Sequence, residues 1–479
     1  MIYDVLIIGA GVTGTMIARN LSKYKLKVAL LDKENDVGNL TSNANSAIVH
    51  SGYDPVPGTN KAKFNVLGNA MYDQICDELD VNFSRVGSLT VALYDEQLPM
   101  LKDLAKRSEE NGVKVELLSA EQVKEMEPNI NPDVKGALFA PTAGIVDVFN
   151  FVVHAAENAI DNGVELFLNQ EVQSIKKDGE IYRITTQKGE FCAKIVINSA
   201  GAFADKIANM VEPVDWKITP RKGEYFVLDH YKAGLVNHVI FPLPSEKGKG
   251  ILVTMTTSGN YLVGPSSEPD DDPNDYTTDQ LTLKNIRSQA TQMVPSIPFN
   301  QVIRVFAGTR PTCTRHDFVI EYAKSDKHFI NVGGIESPGF VSSPAIGKYV
   351  VEELVRHLIK LEEKENYNPR VKRYHRLYNA MVEKDYSFIN EHIDYGQIVC
   401  NCEKVTLGEI LDALSRSCPP HSIKALKRRT RAGYGRCQGG FCQPRVTMLL
   451  AKYYGVSPLE INYDGEFSPV LLKKIKEAK

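Results

Sequence analysis

The first 32 residues of this chain follow an order of elements that few folds accommodate. An apolar stretch suited to a buried strand runs into a Gly-x-Gly-x-x-Gly turn, and a helical pattern and a second apolar strand follow. That second strand ends at an acidic residue. In chain order the parts are residues 3–8, 9–14, 16–21, 27–31 and Asp32. The succession predicts a βαβ unit that binds a dinucleotide, and the alternative is an α/β turn without a ligand.

Each glycine has a separate task in such a turn. Gly9 permits the tight turn, Gly11 lets the backbone approach a pyrophosphate, and Gly14 lets helix and strand pack closely. The amides at the start of the helix donate to phosphate oxygens. Asp32 stands where a carboxylate accepts hydrogen bonds from a ribose diol.

Two later stretches decide which dinucleotide is expected. Residues 192–198 form an apolar strand that ends in the small residues Ala200 and Gly201, and residues 328–333 form another that runs into Gly334. Strand-to-glycine turns at the start, middle and end of a chain are expected where a long flavin lies across one sheet. NAD alone does not require the last turn, so FAD is the predicted cofactor.

The C-terminal part of the chain carries a second redox signal. Cys400 and Cys402 form a Cys-x-Cys pair, and Cys437 and Cys442 form a Cys-x₄-Cys pair. Four thiolates on two short loops suit a 2Fe–2S cluster or a zinc ion. Zinc sites favour a two-residue spacing, so these four cysteines are the predicted ligands of a 2Fe–2S cluster, with zinc as the alternative.

A chain with both groups is predicted to take a hydride from a substrate and to pass the electrons onward. The flavin accepts electrons in pairs, whereas the cluster passes them singly. The acceptor is left open between a second flavoprotein subunit, a quinone-linked partner and a soluble carrier protein.

Composition limits the class of protein. The 479 residues predict two to four structural units. The net charge of −3 gives no case for nucleic acid, but from position 398 onward there are 14 Lys and Arg against 7 Asp and Glu. That local excess predicts either a solvated basic surface or a docking face for an acidic partner.

The sequence also indicates a location. Eight cysteines, four of them clustered, suit a reducing cytoplasm better than a disulfide framework. No signal-peptide pattern is visible, and no apolar run approaches the length of a membrane span. The expected location is the cytoplasm, at the membrane only peripherally and through a partner.

The alternation of strand and helix patterns predicts an α/β and α+β chain. We expect a Rossmann-like FAD domain of the glutathione-reductase or D-amino-acid-oxidase type, a mixed-sheet substrate domain, a helical linker and a small helical iron–sulfur domain. The predicted bounds are 1–80, 145–210 and 325–365 for the FAD domain, 82–140 and 212–320 for the substrate domain, 366–396 for the linker and 397–479 for the iron–sulfur domain.

Several separate motifs, in order, carry a resemblance over most of residues 1–360. They lie at 41–54, 220–225, 247–250, 308–311 and 333–339. Together they resemble the family of FAD-dependent glycerol-3-phosphate dehydrogenases and oxidases of type II, with L-2-hydroxyglutarate oxidases as near relatives. Residues 399–442 resemble the ferredoxin-like 2Fe–2S domain named for bacterioferritin-associated ferredoxin (BFD). Anaerobic dehydrogenases of this kind carry such a tail, and oxidases that reduce oxygen generally lack it.

The resemblance implies further contacts to the flavin. The residues expected there, beyond Gly9, Gly11, Gly14 and Asp32, are Thr41, Ser42, Asn45, Ser46, Val172, Ala200, Gly201, Gly308, Gly334, Pro338, Gly339, Phe340 and Val341.

Oxidation of a secondary alcohol needs a hydride acceptor and a base for the hydroxyl proton. Imidazole titrates near neutral pH, and His50 lies in the polar loop after the second strand. In the resembled family a histidine at this motif position is the proposed base, so His50 is the predicted base here. The alternative is a structural histidine.

An anionic substrate needs cations. Arg310 follows a strand and a glycine and precedes Pro311, and a guanidinium binds phosphate or carboxylate through two parallel hydrogen bonds. Arg310 is therefore a predicted catalytic and substrate-binding residue, the alternative being a structural ion pair. The resemblance adds Lys249 and Ser337 as substrate-binding residues, although a lysine between glycines also suits a loop tip.

Two more charged residues, Arg221 and Glu224, are expected to be structural and to pair with each other. The reaction implied by the resemblance is oxidation of sn-glycerol 3-phosphate to dihydroxyacetone phosphate. L-2-Hydroxyglutarate and amino acids are alternative substrates, because each also offers an anion to Arg310. A different class stays open: a flavin redox sensor whose zinc-held tail is a docking domain.

Overall fold

The structure, a computed structural model, describes residues 1–230, 234–244 and 250–474. The first of its two large β-sheets has eight strands and contains the N-terminal glycine turn. Its strands are Ile2–Ile8, Val28–Leu31, Glu165–Phe167, Val172–Asp178, Ile181–Thr186, Gly189–Asn198, Val319–Tyr322 and Phe329–Gly333.

Five strands of the first sheet run parallel. In spatial order they are Phe329–Gly333, Gly189–Asn198, Ile2–Ile8, Val28–Leu31 and Glu165–Phe167. Because parallel strands end at the same edge, the turns that follow the first three of them converge on one crevice, where α/β sheets bind ligands.

Helices cover this sheet with apolar faces. The main ones are Val12–Leu21, Val148–Asp161 and Gly339–Tyr349. Phe151 is fully buried and stacks on Tyr72 with ring centroids 5.2 Å apart. The last of these helices passes after Tyr349 into a π-helical turn.

The second sheet has nine strands and faces the crevice. They are Ser88–Ala92, Glu116–Ser119, Gly136–Ala140, Ile218–Leu228, Val239–Pro242, Leu252–Met255, Tyr261–Gly264, Glu268–Pro269 and Val302–Cys313. The two longest, Ile218–Leu228 and Val302–Cys313, pair antiparallel and bring Arg221 opposite Arg310. The helix Gln280–Met293 packs on this sheet through buried apolar residues.

A small three-stranded sheet links these parts. Its strands are Ile48–Val49, Phe83–Ser84 and Gly144–Val146. The first of them leads directly into His50. The remaining helices of the large unit are Asn60–Asn69, Tyr72–Glu78, Leu98–Glu110, Ala120–Met126 and Ala204–Asn209.

The linker is helical only in its second half, so the expectation of a helical segment over 366–396 is partly wrong. The helices are Leu377–Glu383 and Ser387–Glu391. The preceding residues bond to the large unit instead: the Val371 amide donates to the Glu78 carbonyl at 3.0 Å, and the Tyr374 amide donates to an Asp80 carboxylate oxygen at 2.9 Å. Backbone donors used in this way are not available to a helix.

The tail folds around its own small core. Strands Ile398–Cys400 and Val405–Thr406 precede the helices Leu407–Ser415, Ile423–Thr430 and Gln443–Tyr454. Thr406 and Glu409 form a capping box at the first of these helices, and the Ser422 hydroxyl caps the second. Among the residues that the structure describes, no helix is both long and apolar enough to cross a bilayer.

Candidate active site and iron–sulfur site

A cavity of about 740 Å³ lies between the crevice of the first sheet and the face of the second. It reaches from the N-terminal glycine turn to the paired strands of the second sheet. The predicted residues that line it are Gly11, Thr41, Ser42, Asn45, Ser46, His50, Gly201, Gly308, Arg310, Ser337, Pro338, Phe340 and Val341.

The glycine turn has the close packing that a dinucleotide site requires. A Cβ at Gly14 would lie 1.8 Å from the Gly9 carbonyl oxygen, so no other residue fits between this helix and strand. The carboxylate of Asp32 accepts from the Ala10 amide at 2.6 Å and from the Glu34 amide at 2.9 Å. Burial raises the pKa of Asp32 to about 6. The turn, the acid and the cavity in front of them fit FAD.

The other residues expected at the flavin are not among those that line the cavity. They are Gly9, Gly14, Asp32, Val172, Ala200, Gly334 and Gly339. The roles of all the expected flavin contacts stay predictions.

His50 lies on the cavity wall, half-buried. Its backbone carbonyl accepts from the side-chain amides of Asn65 at 2.7 Å and Asn69 at 3.0 Å, both on the helix Asn60–Asn69. Its ring centroid lies 5.8 Å from that of Phe241. Two hydrogen bonds from the helix Asn60–Asn69 therefore hold the backbone of the predicted base. The residue lines the cavity, and its ring lies beside that of Phe241.

Arg310 also lines the cavity and bonds only to neutral acceptors among the described residues. Its guanidinium donates to the Ser267 hydroxyl at 3.1 Å and to the Ser266 carbonyl at 2.6 Å. A Cβ at Gly223 would lie 2.4 Å from Arg310 Nη2, so the glycine makes room for this side chain. Since no carboxylate within the described ranges pairs with it, Arg310 keeps its charge for an anion.

Arg221 lies beside Arg310, and its expected pairing with Glu224 is wrong. Its guanidinium donates to the Ser267 hydroxyl at 3.0 Å and to the Ser267 carbonyl at 2.6 Å. The buried Glu224 carboxylate accepts from the Asp279 amide at 3.2 and 3.1 Å instead. Residues an odd number of positions apart on a strand point to opposite faces, which keeps Arg221 and Glu224 apart.

Arg221 and Tyr225 are cavity residues that the sequence reasoning missed. Both line the cavity, and the Tyr225 hydroxyl lies 3.0 Å from that of Ser46. The signal was present as a period of two over positions 221, 223 and 225, the pattern of one strand face.

Of the two remaining predicted substrate contacts, Ser337 and Lys249, the structure describes only the first. Ser337 is exposed on the cavity wall, just before the helix Gly339–Tyr349. Lys249 lies outside the described residues. The substrate roles of both stay predictions.

The four tail cysteines come together as two pairs. Cys402 and Cys437 have sulfurs 3.7 Å apart, and Cys400 and Cys442 are hydrogen-bonded to each other. The bond from Cys442 lowers the pKa of Cys400 to about 6, and the amides of Gly433, Glu403 and Cys402 act in the same direction. The same hydrogen bond raises the pKa of Cys442, so in each pair one thiol is favoured as the thiolate that ligates metal, Cys400 in this pair and Cys437 in the other, and its partner is not.

Two pairs of thiolates fit a two-iron cluster, in which each iron takes two protein ligands. Over the described ranges, no three or more His, Cys, Asp or Glu residues are grouped so as to hold one metal ion.

The tail is attached to the first sheet by a buried ion cluster. Asp36 accepts from Arg428 at 2.6 Å and from Arg429 at 2.8 and 2.9 Å, and all three side chains are at most 2% exposed. Burial raises the pKa of Asp36, but the charges of Arg429 and Arg428 outweigh that effect and hold the pKa below its ordinary value.

The class of protein follows from these two sites and is borne out by family comparison. The model of the FAD dependent oxidoreductase family (DAO) matches residues 4–353, and that of the BFD-like [2Fe-2S] binding domain matches residues 398–452. The chain belongs to the FAD dependent oxidoreductase family, and its cofactors are FAD and a 2Fe–2S cluster. Both cofactor predictions are confirmed.

Individual relatives narrow the comparison. A glycerol 3-phosphate dehydrogenase of Caloramator mitchellensis is 47% identical over 98% of both chains. The structure of dithionite-reduced L-α-glycerophosphate oxidase from Mycoplasma pneumoniae with FAD bound matches with a TM-score of 0.74 and 31% identity. An L-2-hydroxyglutarate dehydrogenase of Escherichia coli is 33% identical over 55% of this chain and 64% of its own. The predicted fold class and family resemblance are confirmed.

The dehydrogenase and the oxidase differ in how much of this chain they match. The oxidase structure is matched over 98% of its length by only 78% of this chain, whereas the dehydrogenase is matched along nearly the whole of both. The relative that shares the full length of this chain is thus the one named a dehydrogenase.

Proposed function

We propose that this chain oxidises sn-glycerol 3-phosphate to dihydroxyacetone phosphate and passes the electrons through its 2Fe–2S cluster to an external acceptor. The observation that carries the proposal is the pair Arg221 and Arg310, held by neutral groups on the wall of the cavity that also contains His50. The identity along nearly the full length to a glycerol 3-phosphate dehydrogenase supports the choice of substrate.

Each residue has a distinct task in this proposal. Arg310 and Arg221 bind the phosphate and fix the orientation of the substrate, since guanidinium groups match phosphate oxygens in pairs. His50 accepts the proton of the C2 hydroxyl. FAD, when bound, accepts the hydride from C2.

The electrons leave the protein where the cluster site is exposed, at Cys402 and the neighbouring loop that contains Phe441. Cys402 is exposed while Cys400 and Cys442 are buried, and Phe441 in the same loop is 84% exposed. An apolar side chain next to an exposed ligand suits a transient protein contact, and the basic residues of the tail favour an acidic acceptor. This acceptor protein is expected in the same compartment, the cytoplasm.

One experiment tests the substrate and the redox route together. Purified holoenzyme is mixed without oxygen with glycerol 3-phosphate, L-2-hydroxyglutarate or glycine, and flavin and cluster absorbance are followed separately. We expect glycerol 3-phosphate alone to bleach the flavin, with the cluster bleaching afterwards. Flavin bleaching by L-2-hydroxyglutarate or glycine but not by glycerol 3-phosphate would overturn the substrate. A flavin that no substrate reduces would favour the sensor alternative.

A further inference from the structure

A second cavity, which we call the junction cavity, lies where the tail meets both large sheets. Its volume is about 330 Å³, and its walls come from the loop after Asn39, from the strand Val302–Cys313 and from the tail helix Ile423–Thr430. Ala44 and Asn45 line both this cavity and the active-site cavity, so one loop separates the two.

The junction cavity is strongly cationic. Five basic residues line it, and they are Arg304, Lys424, Lys427, Arg428 and Arg431. The only carboxylate in the described lining, Asp147, already caps the helix Val148–Asp161 by accepting from the Phe149 amide at 3.1 Å and the Asn150 amide at 3.2 Å. Positive charge is therefore not balanced within the cavity wall.

Three of the five cations have partners behind the wall. Lys424 pairs with Asp464 at 2.6 Å, Arg428 with Asp36 at 2.6 Å, and Arg431 with Glu403 at 2.8 Å. Only the Arg428–Asp36 pair joins the tail to the first sheet, since the other two lie within the tail. The two remaining cations are Lys427 and Arg304.

Lys427 and Arg304 have no carboxylate partner among the described residues. Lys427 is only 4% exposed, and its ammonium lies 4.4 Å from the centroid of the Tyr434 ring. Arg304 donates to the Gln438 side-chain oxygen at 3.2 Å. In the same wall the buried Nε of Arg428 has no acceptor. Arg304 is exposed, whereas Lys427 is buried. A buried ammonium without a counter-charge is costly, so Lys427 is the residue that points to an absent anion, and Arg304 lies in the same wall.

We propose that the junction cavity binds a phosphate-bearing small molecule, with Lys427 and Arg304 as the phosphate contacts. A phosphate offers several acceptor oxygens to an ammonium and a guanidinium at once. The ring pair of Phe149 and Tyr434, with centroids 5.4 Å apart, forms an aromatic wall beside these cations. Cationic and aromatic walls together suit a nucleoside monophosphate, and the phosphate contacts alone suit the free anion.

Binding is tested on the FAD- and cluster-loaded enzyme in phosphate-free buffer, by calorimetric titration with inorganic phosphate and, separately, with AMP. The Arg310→Met variant is titrated in parallel, because it removes the phosphate contact of the active-site cavity. We expect one site per chain that is retained in Arg310→Met, in addition to any binding that depends on Arg310. We expect Lys427→Met to weaken binding by about tenfold or more, the effect of one charge-assisted hydrogen bond. Lys427→Arg should stay within a few-fold of the wild type.

Lys424→Met provides the matched control, since Lys424 lines the same cavity but already pairs with Asp464. It should weaken binding less than Lys427→Met does. AMP binding more tightly than phosphate would identify a nucleotide, and equal affinities would identify the free anion. Both support the proposal.

Two results would overturn it: neither probe binds outside the Arg310-dependent site, or Lys427→Met binds as tightly as the wild type. In the second case the cluster absorbance of Lys427→Met is also recorded. Its loss would mean that the cluster itself supplies the counter-charge of Lys427.

Discussion

Two arginine pairs in this molecule are held in opposite ways. Arg221 and Arg310 project into the active-site cavity and donate to hydroxyl and carbonyl groups of Ser266 and Ser267. Arg428 and Arg429 are buried between the tail and the first sheet, where they share the carboxylate of Asp36. The first pair meets neutral acceptors, whereas the second meets a charge.

The type of acceptor indicates whether an arginine is available to bind a ligand or serves to hold two parts of the chain together. A guanidinium oriented by neutral groups keeps most of its charge for a ligand and is already in position when the ligand arrives. A guanidinium neutralised by a buried carboxylate holds two parts of the chain together, and removing one partner leaves a buried charge behind. The choice of acceptor, rather than the residue type, therefore distinguishes a binding arginine from a structural one.

The strongest way to break this comparison is Arg310→Met. We expect kcat/KM for glycerol 3-phosphate to fall by about 10²–10⁴-fold, because two charge-assisted hydrogen bonds are lost, each worth about 1.5–3 kcal/mol. Steady-state kinetics with an artificial acceptor measures the loss. The control is Lys222→Met on the paired strand Ile218–Leu228, whose ammonium already pairs with Asp275. Equal effects of the two substitutions would contradict a binding role for Arg310.

In the active-site cavity, His50→Ala tests proton removal separately from anion binding. We expect a fall of about 10²–10⁴-fold in the rate of anaerobic flavin reduction at saturating substrate, with little change in substrate affinity. Stopped-flow absorbance measures both quantities. His316→Asn is the matched control, because His316 also lines the cavity and has a φ of +56° that Asn tolerates. An unchanged reduction rate in His50→Ala would reject the base.

The parts of the fold that were predictable depend on short-range signals. The glycine turn with Asp32, the capping box of Thr406 and Glu409, and the Ser422 cap are each contained within a few residues or a single βαβ unit. The structure forms all of them. Local patterns of this kind need no knowledge of distant contacts.

The features that were missed depend on pairing between distant segments. Arg221 joins the active site only because the strands Ile218–Leu228 and Val302–Cys313 pair in the register that sets it opposite Arg310. Likewise, nothing near Asp36 in the sequence indicates that it receives two arginines from the tail. Register and docking are tertiary properties, which composition and spacing do not report.

Asp36→Asn tests the structural role of the buried pair Arg428 and Arg429. We expect the free energy of unfolding of the tail to fall by about 3–5 kcal/mol, because two buried guanidinium groups lose their counter-charge. A urea titration followed by cluster absorbance measures it. Asp73→Asn is the control, since Asp73 pairs with Arg85 at an exposed position and should change stability little. Catalysis at low urea concentration should be retained, which would separate this effect from that of Arg310→Met.

Arg221→Met tests whether Arg221, the second arginine of the cavity, binds the substrate or is structural. We expect a loss of about 10–100-fold in kcat/KM, smaller than for Arg310→Met, because one charge-assisted hydrogen bond to the substrate is removed. In the double variant with Arg310→Met the losses should not add, since both side chains share the Ser267 hydroxyl. Activity equal to the wild type would make Arg221 structural, as the sequence suggested.

The smallest expected effect concerns FAD affinity and pH. Burial raises the pKa of Asp32 to about 6, so in the FAD-free protein this carboxyl is protonated below that pH and ionised above it. The ribose hydroxyls donate to the ionised form, so the proton must leave when FAD binds. Affinity should therefore be constant above about pH 6 and fall by up to about tenfold per unit below it. Reconstitution of the FAD-free protein, followed by flavin fluorescence at pH 5 to 8, measures the slope. Asp32→Asn should bind FAD more weakly with no slope in this range, whereas a flat wild-type profile would show that Asp32 does not contact the ribose.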